Sequence, residues 1–389
     1  MPAPTPATPA TPGPEPSGRV RREVVRRRLA ATGLAPTDAP ERAEAVVGSH
    51  LALQAQDLES GLWSVGSRSG LTREQVVDAW AAGTITRTWP MRGTLHLVAA
   101  RDAGWLTGLL AGRAVAASAR RRRDLGLDEE VTARARRTLV AAAQGAGRDA
   151  DHPPLTRPRA YDALRAAGID PDGQRGVHLL GLLSQEGLLV QGPPQGRDPT
   201  FVLHDEWVLD PWRPDRDEAL ATLATRYVRR HGPVGERDLA GWTGLPLRDV
   251  RAAVALAGDV LAVERVAGRD LLVHVDAPTA GEGGVVLAAP FDELVLGYKE
   301  RWALLTAEQE RVVVPGGNGM FLATVVVDGA VRGTWGRRLG TERARVTMSP
   351  WDPPAARTRR AVEEAVARYG AFLGRPVDTT WAPAPGGDG

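Results

Sequence analysis

The chain of 389 residues contains no cysteine. Disulfides, thiolate nucleophiles and zinc sites built on cysteine are therefore excluded. Lysine is almost as scarce: of 49 basic residues, all but Lys299 are arginine. A lyase working through a side-chain amine would have that single candidate. No apolar run approaches the roughly 18 residues a membrane helix requires, so no membrane partner is expected. The N-terminus lacks a charged-then-apolar leader, which points to a cytoplasmic protein. His152, His178, His204 and His231 are scattered without ligand spacing, so no metal is expected, nor any cofactor. No loop has the glycines, lysine and following helix that cradle a phosphate.

Hydrophobic residues make up 43% and charged residues 25%, as in a water-exposed globular protein. The formal net charge is only +2, yet the pI is about 9.3, because arginine dominates the basic set. The basic residues also cluster, at Arg19, Arg21, Arg22, Arg26, Arg27 and Arg28, and again from Arg120 to Arg123. Such blocks are either solvated helix faces or phosphate contacts.

Residues 1–17 repeat Pro, Ala and Thr and cannot bury a core, so a disordered tail is expected. Residues 18–150 then show helical periodicity, including a helix from about Pro40 to Gln54 and another opened by Thr72 and Gln75. Short strands at 84–89 and 94–98 flank a Pro-Met-Arg-Gly turn. Helices followed by a hairpin make a winged helix. The same grammar recurs over 151–214 and 215–278, where Val234 to Trp242 and Leu247 to Ala257 form a helix-turn-helix. Residues 279–378 read as a small β-rich, barrel-like domain with hairpin turns at 316–319 and Asp328-Gly329, closed by a helix from Ala355 to Phe372. Residues 379–389 form a second loose tail. The expected class is α+β, with tandem winged-helix units and a C-terminal β domain.

Gln54-Ala55-Gln56, followed by Asp57, is an unusual polar insertion in an apolar pattern. On a continuous helix, residues two apart lie about 200° around the axis and could not line one cleft. In extended geometry they point to one side. The pair is therefore most useful if the helix stops there, with Asp57 capping the next one. An amide is a weak base, but it can hold and orient a water. That suffices only for a leaving group that already carries positive charge. A purine alkylated at N7 or N3 is one.

About thirty residues later comes Arg87-Thr88-Trp89-Pro90-Met91-Arg92-Gly93-Thr94-Leu95-His96-Leu97, followed much later by Pro290-Phe291-Asp292, Gly297-Tyr298-Lys299-Glu300-Arg301 and Val314-Pro315-Gly316-Gly317-Asn318-Gly319. Together with Leu53-Gln54-Ala55-Gln56-Asp57, this set resembles the bacterial winged-helix DNA glycosylases of the AlkZ and YcaQ type, over roughly residues 19–375. The resemblance implies a monofunctional glycosylase that excises alkylated purines, natural-product adducts or crosslinks among them, from double-stranded DNA. Gln at position 56, rather than Asp, places the chain with the AlkZ-like branch, which includes self-resistance enzymes. Carried over, Gln54 and Gln56 are the candidate catalytic pair. Arg87, Arg92, Thr94, His96, Arg248 and Arg251 are candidate DNA contacts, and Trp89 reads as core. A monomer is expected. The competing expectation is a non-enzymatic winged-helix regulator, with the 247–257 helix entering a major groove.

Overall fold

A computed structural model describes residues 16–34 and 42–384, except 148, 150, 197, 282 and 318. Most of the expected N-terminal tail, Pro40, Asn318 and the last five residues lie outside the described set.

The chain opens with α1 (Gly18–Ala31) and α2 (Ala43–Ser49), then strand β1 (Leu53–Gln54), α3 (Leu58–Ser69) and α4 (Arg73–Ala81). Thr72 and Gln75 form the expected capping box on α4. Strands β2 (Ile85–Met91) and β3 (Thr94–Ala99) form an antiparallel hairpin, and β1 pairs on the far side of β3. Arg92 and Gly93 take φ of 54° and 72°, the left-handed pair that a two-residue hairpin turn needs. Pro90 is tolerated because the ladder shifts register between Thr88 and Met91. Next come α5 (Ala103–Leu110), α6 (Gly112–Asp124) and α7 (Glu129–Ala143).

A second group contains β4 (Leu155–Thr156), α8 (Arg157–Ala166), α9 (Arg175–Gln185), β5 (Leu189–Val190), β6 (Thr200–Leu203) and α10 (His204–Trp207). A third contains α11 (Arg216–His231), α12 (Glu236–Thr243), α13 (Leu247–Ala257) and the hairpin β7 (Leu261–Val266) to β8 (Arg269–His274). Helix α12 starts two residues later than the sequence suggested, because Val234 instead exchanges hydrogen bonds with Leu272.

The last segment comprises β9 (Val285–Ala288), α14 (Glu293–Leu296), α15 (Ala307–Val313), β10 (Thr324–Val327), β11 (Ala330–Leu339), β12 (Ala344–Pro350), α16 (Ala356–Leu373) and β13 (Val377–Trp381). Its five strands run in the order β13-β12-β11-β10-β9, and β12 and β13 pair in parallel across α16. Asp328-Gly329 is the β10–β11 turn. Gly316-Gly317 is not a hairpin turn: it belongs to a short 3-10 turn after α15. The fold is a mixed α+β one.

Hydrophobic cores cross the segments. Trp63 of α3 packs its ring 4.9 Å from Tyr369 and 5.0 Å from Phe372, both on α16, so the early helices share a core with the C-terminal sheet. Met91 and Val98 of the hairpin share another with α11 to α13. Sequence-distant packing thus holds the β1-β3-β2 sheet from both sides.

Candidate active site

Helix α2 ends at Ser49, five residues before the expected stop at Gln54. His50 caps it: its neutral ring donates Nδ1–H to the Val46 carbonyl at 2.8 Å, while Nε2 lies 3.1 Å from the Thr32 carbonyl without a proton to give it. Leu51 then takes φ of 67°, a costly conformation for a non-glycine residue, and turns the chain into β1. Gln54 is consequently extended and pairs directly opposite His96, which in turn faces Thr88. Directly opposite residues share a sheet face, so Gln54, His96 and Thr88 form one polar row, with Thr94 on the same side of β3.

Ala55 donates its N–H to Leu95 O at 2.8 Å, which carries the extended geometry past Gln54. Gln56 therefore returns to the side of Gln54, and its Oε1 accepts from the Leu95 N–H at 3.1 Å. Gln54 thus ends a strand rather than a helix, and Gln56 follows just beyond it. Asp57 caps α3 through Ser60 N at 2.8 Å and also receives Arg337 Nη2 at 2.7 Å.

The two amides differ. Gln56 is exposed, whereas Gln54 is only 7% exposed and its Oε1 has no protein partner. Thr88 Oγ1 and Thr94 Oγ1 are likewise buried without partners. Buried polar atoms are normally satisfied, so three such acceptors on one sheet face mark a place built for something polar.

His96 is fully buried. Its Nδ1 bonds the Thr94 carbonyl at 2.9 Å, and its Nε2 lies 3.4 Å from Arg92 Nη2. Since a carbonyl only accepts, Nδ1 carries the proton and Nε2 presents a lone pair to Arg92. Burial, with help from the Arg92 charge, pulls the imidazole down to about 3. At neutral pH His96 is uncharged and is no proton source for a leaving base. Arg92 itself is exposed yet held below its usual range by desolvation, offset by Glu293 and Tyr227.

Arg87 does not project outward for a phosphate. Its Nε and Nη2 donate to the Ala55 carbonyl at 3.0 and 2.7 Å, Nη2 also reaches Gln56 O, and Nη1 donates to Gln191 Oε1 at 3.0 Å. It braces the glutamine backbone instead. Burial draws it down to about 10. Gln191 was not anticipated. It is buried, and its carbonyl accepts from Trp80 Nε1 at 2.8 Å and Thr86 Oγ1 at 2.9 Å. Its one sequence signal is a lone amide closing an apolar strand.

The remaining candidates are dispersed. Arg248 and Arg251 stand exposed on α13, paired laterally with Asp249 and Glu236. Trp89 is partly buried against the cluster of α7 to α9, as core. The 292–301 motif is structural: Asp292 holds Arg68 of α3 in a buried bidentate pair at 2.8 and 2.9 Å, and Lys299 and Glu300 give their N–H groups to Asp238. The basic block on α1 is likewise absorbed in part, with Arg28 buried over the Tyr298 ring and Arg27 paired with Glu264.

Known proteins share this architecture. A Streptomyces sahachiroi interstrand DNA cross-link repair glycosylase is 28% identical over 335 residues, covering 81% of this chain and 87% of that one. The solved structure of Streptomyces sahachiroi DNA glycosylase AlkZ superposes with a TM-score of 0.74 at 24% identity, covering 93% of this chain and 99% of its own. The family model for AlkZ-like DNA glycosylases matches residues 47–372, which takes in the β1-β3-β2 sheet and its supports. The chain belongs to the AlkZ-like DNA glycosylase family.

Proposed function

We propose that this enzyme hydrolyses the N-glycosidic bond of N7- or N3-alkylated purines in double-stranded DNA, leaving an abasic site, and that Gln54 and Gln56 position the attacking water. The observation that carries the reading is the buried, unpartnered Gln54 Oε1, set opposite a neutral His96. Water bound to that acceptor would be aligned on C1′ with Gln56 beside it. As the C1′–oxygen bond forms, the C1′–N9 bond breaks. Its electron pair neutralises the cationic purine, and the water proton leaves to solvent. No acid is required at the base, in keeping with the absence of a charged imidazole in the row. Orientation and fixed dipoles supply the catalysis.

In this reading the three helix-plus-hairpin groups, 18–150, 151–214 and 215–278, act as winged-helix units, the 279–378 segment supports the first of them, and a monomer suffices to engage the duplex. The named relative acts on crosslinks, so a bulky adduct is a natural first substrate, met in the cytoplasm on chromosomal DNA. Lys299, the chain's single side-chain amine, gives its backbone N–H to Asp238 and is not proposed as a nucleophile. The test incubates duplexes carrying an N7-alkylguanine with protein and then cleaves abasic sites with alkali. Excision above spontaneous depurination, and no nick before alkali, is expected. No excess abasic sites with either a simple or a bulky adduct would overturn the reading.

A further inference from the structure

Helix α6 buries none of its residues. A helix of 13 residues that contributes nothing to a core needs another reason to be there. Its sequence divides in two: small residues from Gly112 to Ala119, then Arg120 to Arg123, with Arg113 near the start and Asp124 as its lone acid. Arg121 is tied to Gln174 at 2.9 Å, and Arg122 to Ser118 of its own helix. Arg113, Arg120 and Arg123 are exposed and have no acidic partner among the described residues. The helix also starts at the site. Ala114 Cβ lies 3.9 Å from where a Cβ on Gly93 would stand, and Gly93 is the tip of the hairpin that carries Arg92 and His96. The α12–α13 turn at Gly244 also approaches Arg92.

We propose that α6 is a backbone-binding rail, on which the duplex flanking the lesion lays its phosphates. This rests on the DNA glycosylase reading above and adds a specific surface to it. The occupant follows from charge and continuity. Three uncommitted guanidiniums suit phosphate oxygens, the small residues let the helix axis lie close to a strand, and the rail runs directly from the hairpin tip. Thirteen residues span about 20 Å, the axial rise of about six base pairs, enough to meet several phosphates. Contacts of this kind are indifferent to sequence, as an enzyme that must find a lesion anywhere requires.

The experiment compares wild type with the triple variant Arg113→Gln/Arg120→Gln/Arg123→Gln, using fluorescence anisotropy of an undamaged labelled duplex over a salt series. A second triple variant, Arg345→Gln/Arg357→Gln/Arg360→Gln, removes equal charge elsewhere. The α6 variant is expected to melt like wild type and to lower the slope of log K against log salt by roughly 2–3, at about 0.9 per phosphate contact. Its single-turnover excision at saturating protein is expected to be unchanged. An unaltered slope, or an equal fall in the second variant, would overturn the proposal. Because binding is read on undamaged DNA, a protein that excises nothing yet shows the slope change would refute the proposed reaction while leaving the rail intact.

Discussion

At the scale of single residues, the polar row owes its character to burial. An imidazole that is uncharged in the fold but titrates near 6.5 when unfolded links stability to pH. His96 is drawn to about 3, and His50 is also held well below its usual value by burial and by the Arg68 charge. Between about 3 and 6.5 the unfolded chain binds protons that the folded chain refuses. The contribution is therefore complete above about 6.5 and is lost progressively as pH falls. Thermal melts should show Tm declining from pH 6.5 to 5, with a shallower decline in His96→Gln. An identical decline in that variant would show that His96 is not buried as a neutral group. That the chain leaves helical geometry by Gln54 was legible in the sequence, although the helix in fact stops earlier, at Ser49. The neutrality of His96 was not, since it depends on what packs above it.

At the scale of elements, the glutamine strand is held from both sides by contacts that leave little trace in a sequence. Arg87 reads as a free cation in an arginine-rich chain, yet its fork is spent on Ala55 O and Gln191 Oε1. Helix α3 packs so closely on β1 that a Cβ at Gly61 would stand 2.5 Å from Ala55 Cβ and 3.0 Å from Ala55 Cα. Gly61→Ala must push the residue between the two glutamines, and overpacking of this kind costs about 1–3 kcal/mol. We expect a lower Tm together with reduced excision, while duplex binding, which we assign to exposed arginines, is preserved. Retention of wild-type excision would mean that the strand position does not matter to the reaction. The Thr72/Gln75 capping box, the Asp328-Gly329 hairpin and α16 were readable because their signals are local. The end of α2 was not, because the apolar run from Leu51 to Leu53 continues the helical pattern while Leu51 leaves helical space. The 316–319 glycines show the same limit: turn residues declare a turn, but not which elements it joins.

At the scale of the whole molecule, the sheet bearing the glutamines is a meeting point. Its α2–α4 side shares a core with the C-terminal sheet and α16, its hairpin shares another with α11 to α13, and Gln191 ties it to the 151–214 segment. Residues far apart in sequence therefore hold the candidate site, as the proposed catalysis by orientation would need. The order of helix groups and hairpins could be read from periodicity. Their mutual packing could not, because it is written in pairs such as Trp63 with Tyr369 and Arg68 with Asp292.

The central claim is that Gln54 Oε1 is left unpartnered in the protein in order to hold the reacting water. Gln54→Met keeps the length of the side chain and removes the buried acceptor. Removing a buried acceptor that has no protein partner should leave Tm unchanged or raise it. Losing a positioned transition-state contact should slow single-turnover excision of an N7-alkylguanine by roughly 10²-fold or more. Measured together on one preparation, a stable, duplex-binding and excision-poor Gln54→Met enzyme is the predicted result. A variant that excises at the wild-type rate, or that loses activity only because it unfolds, would contradict the account.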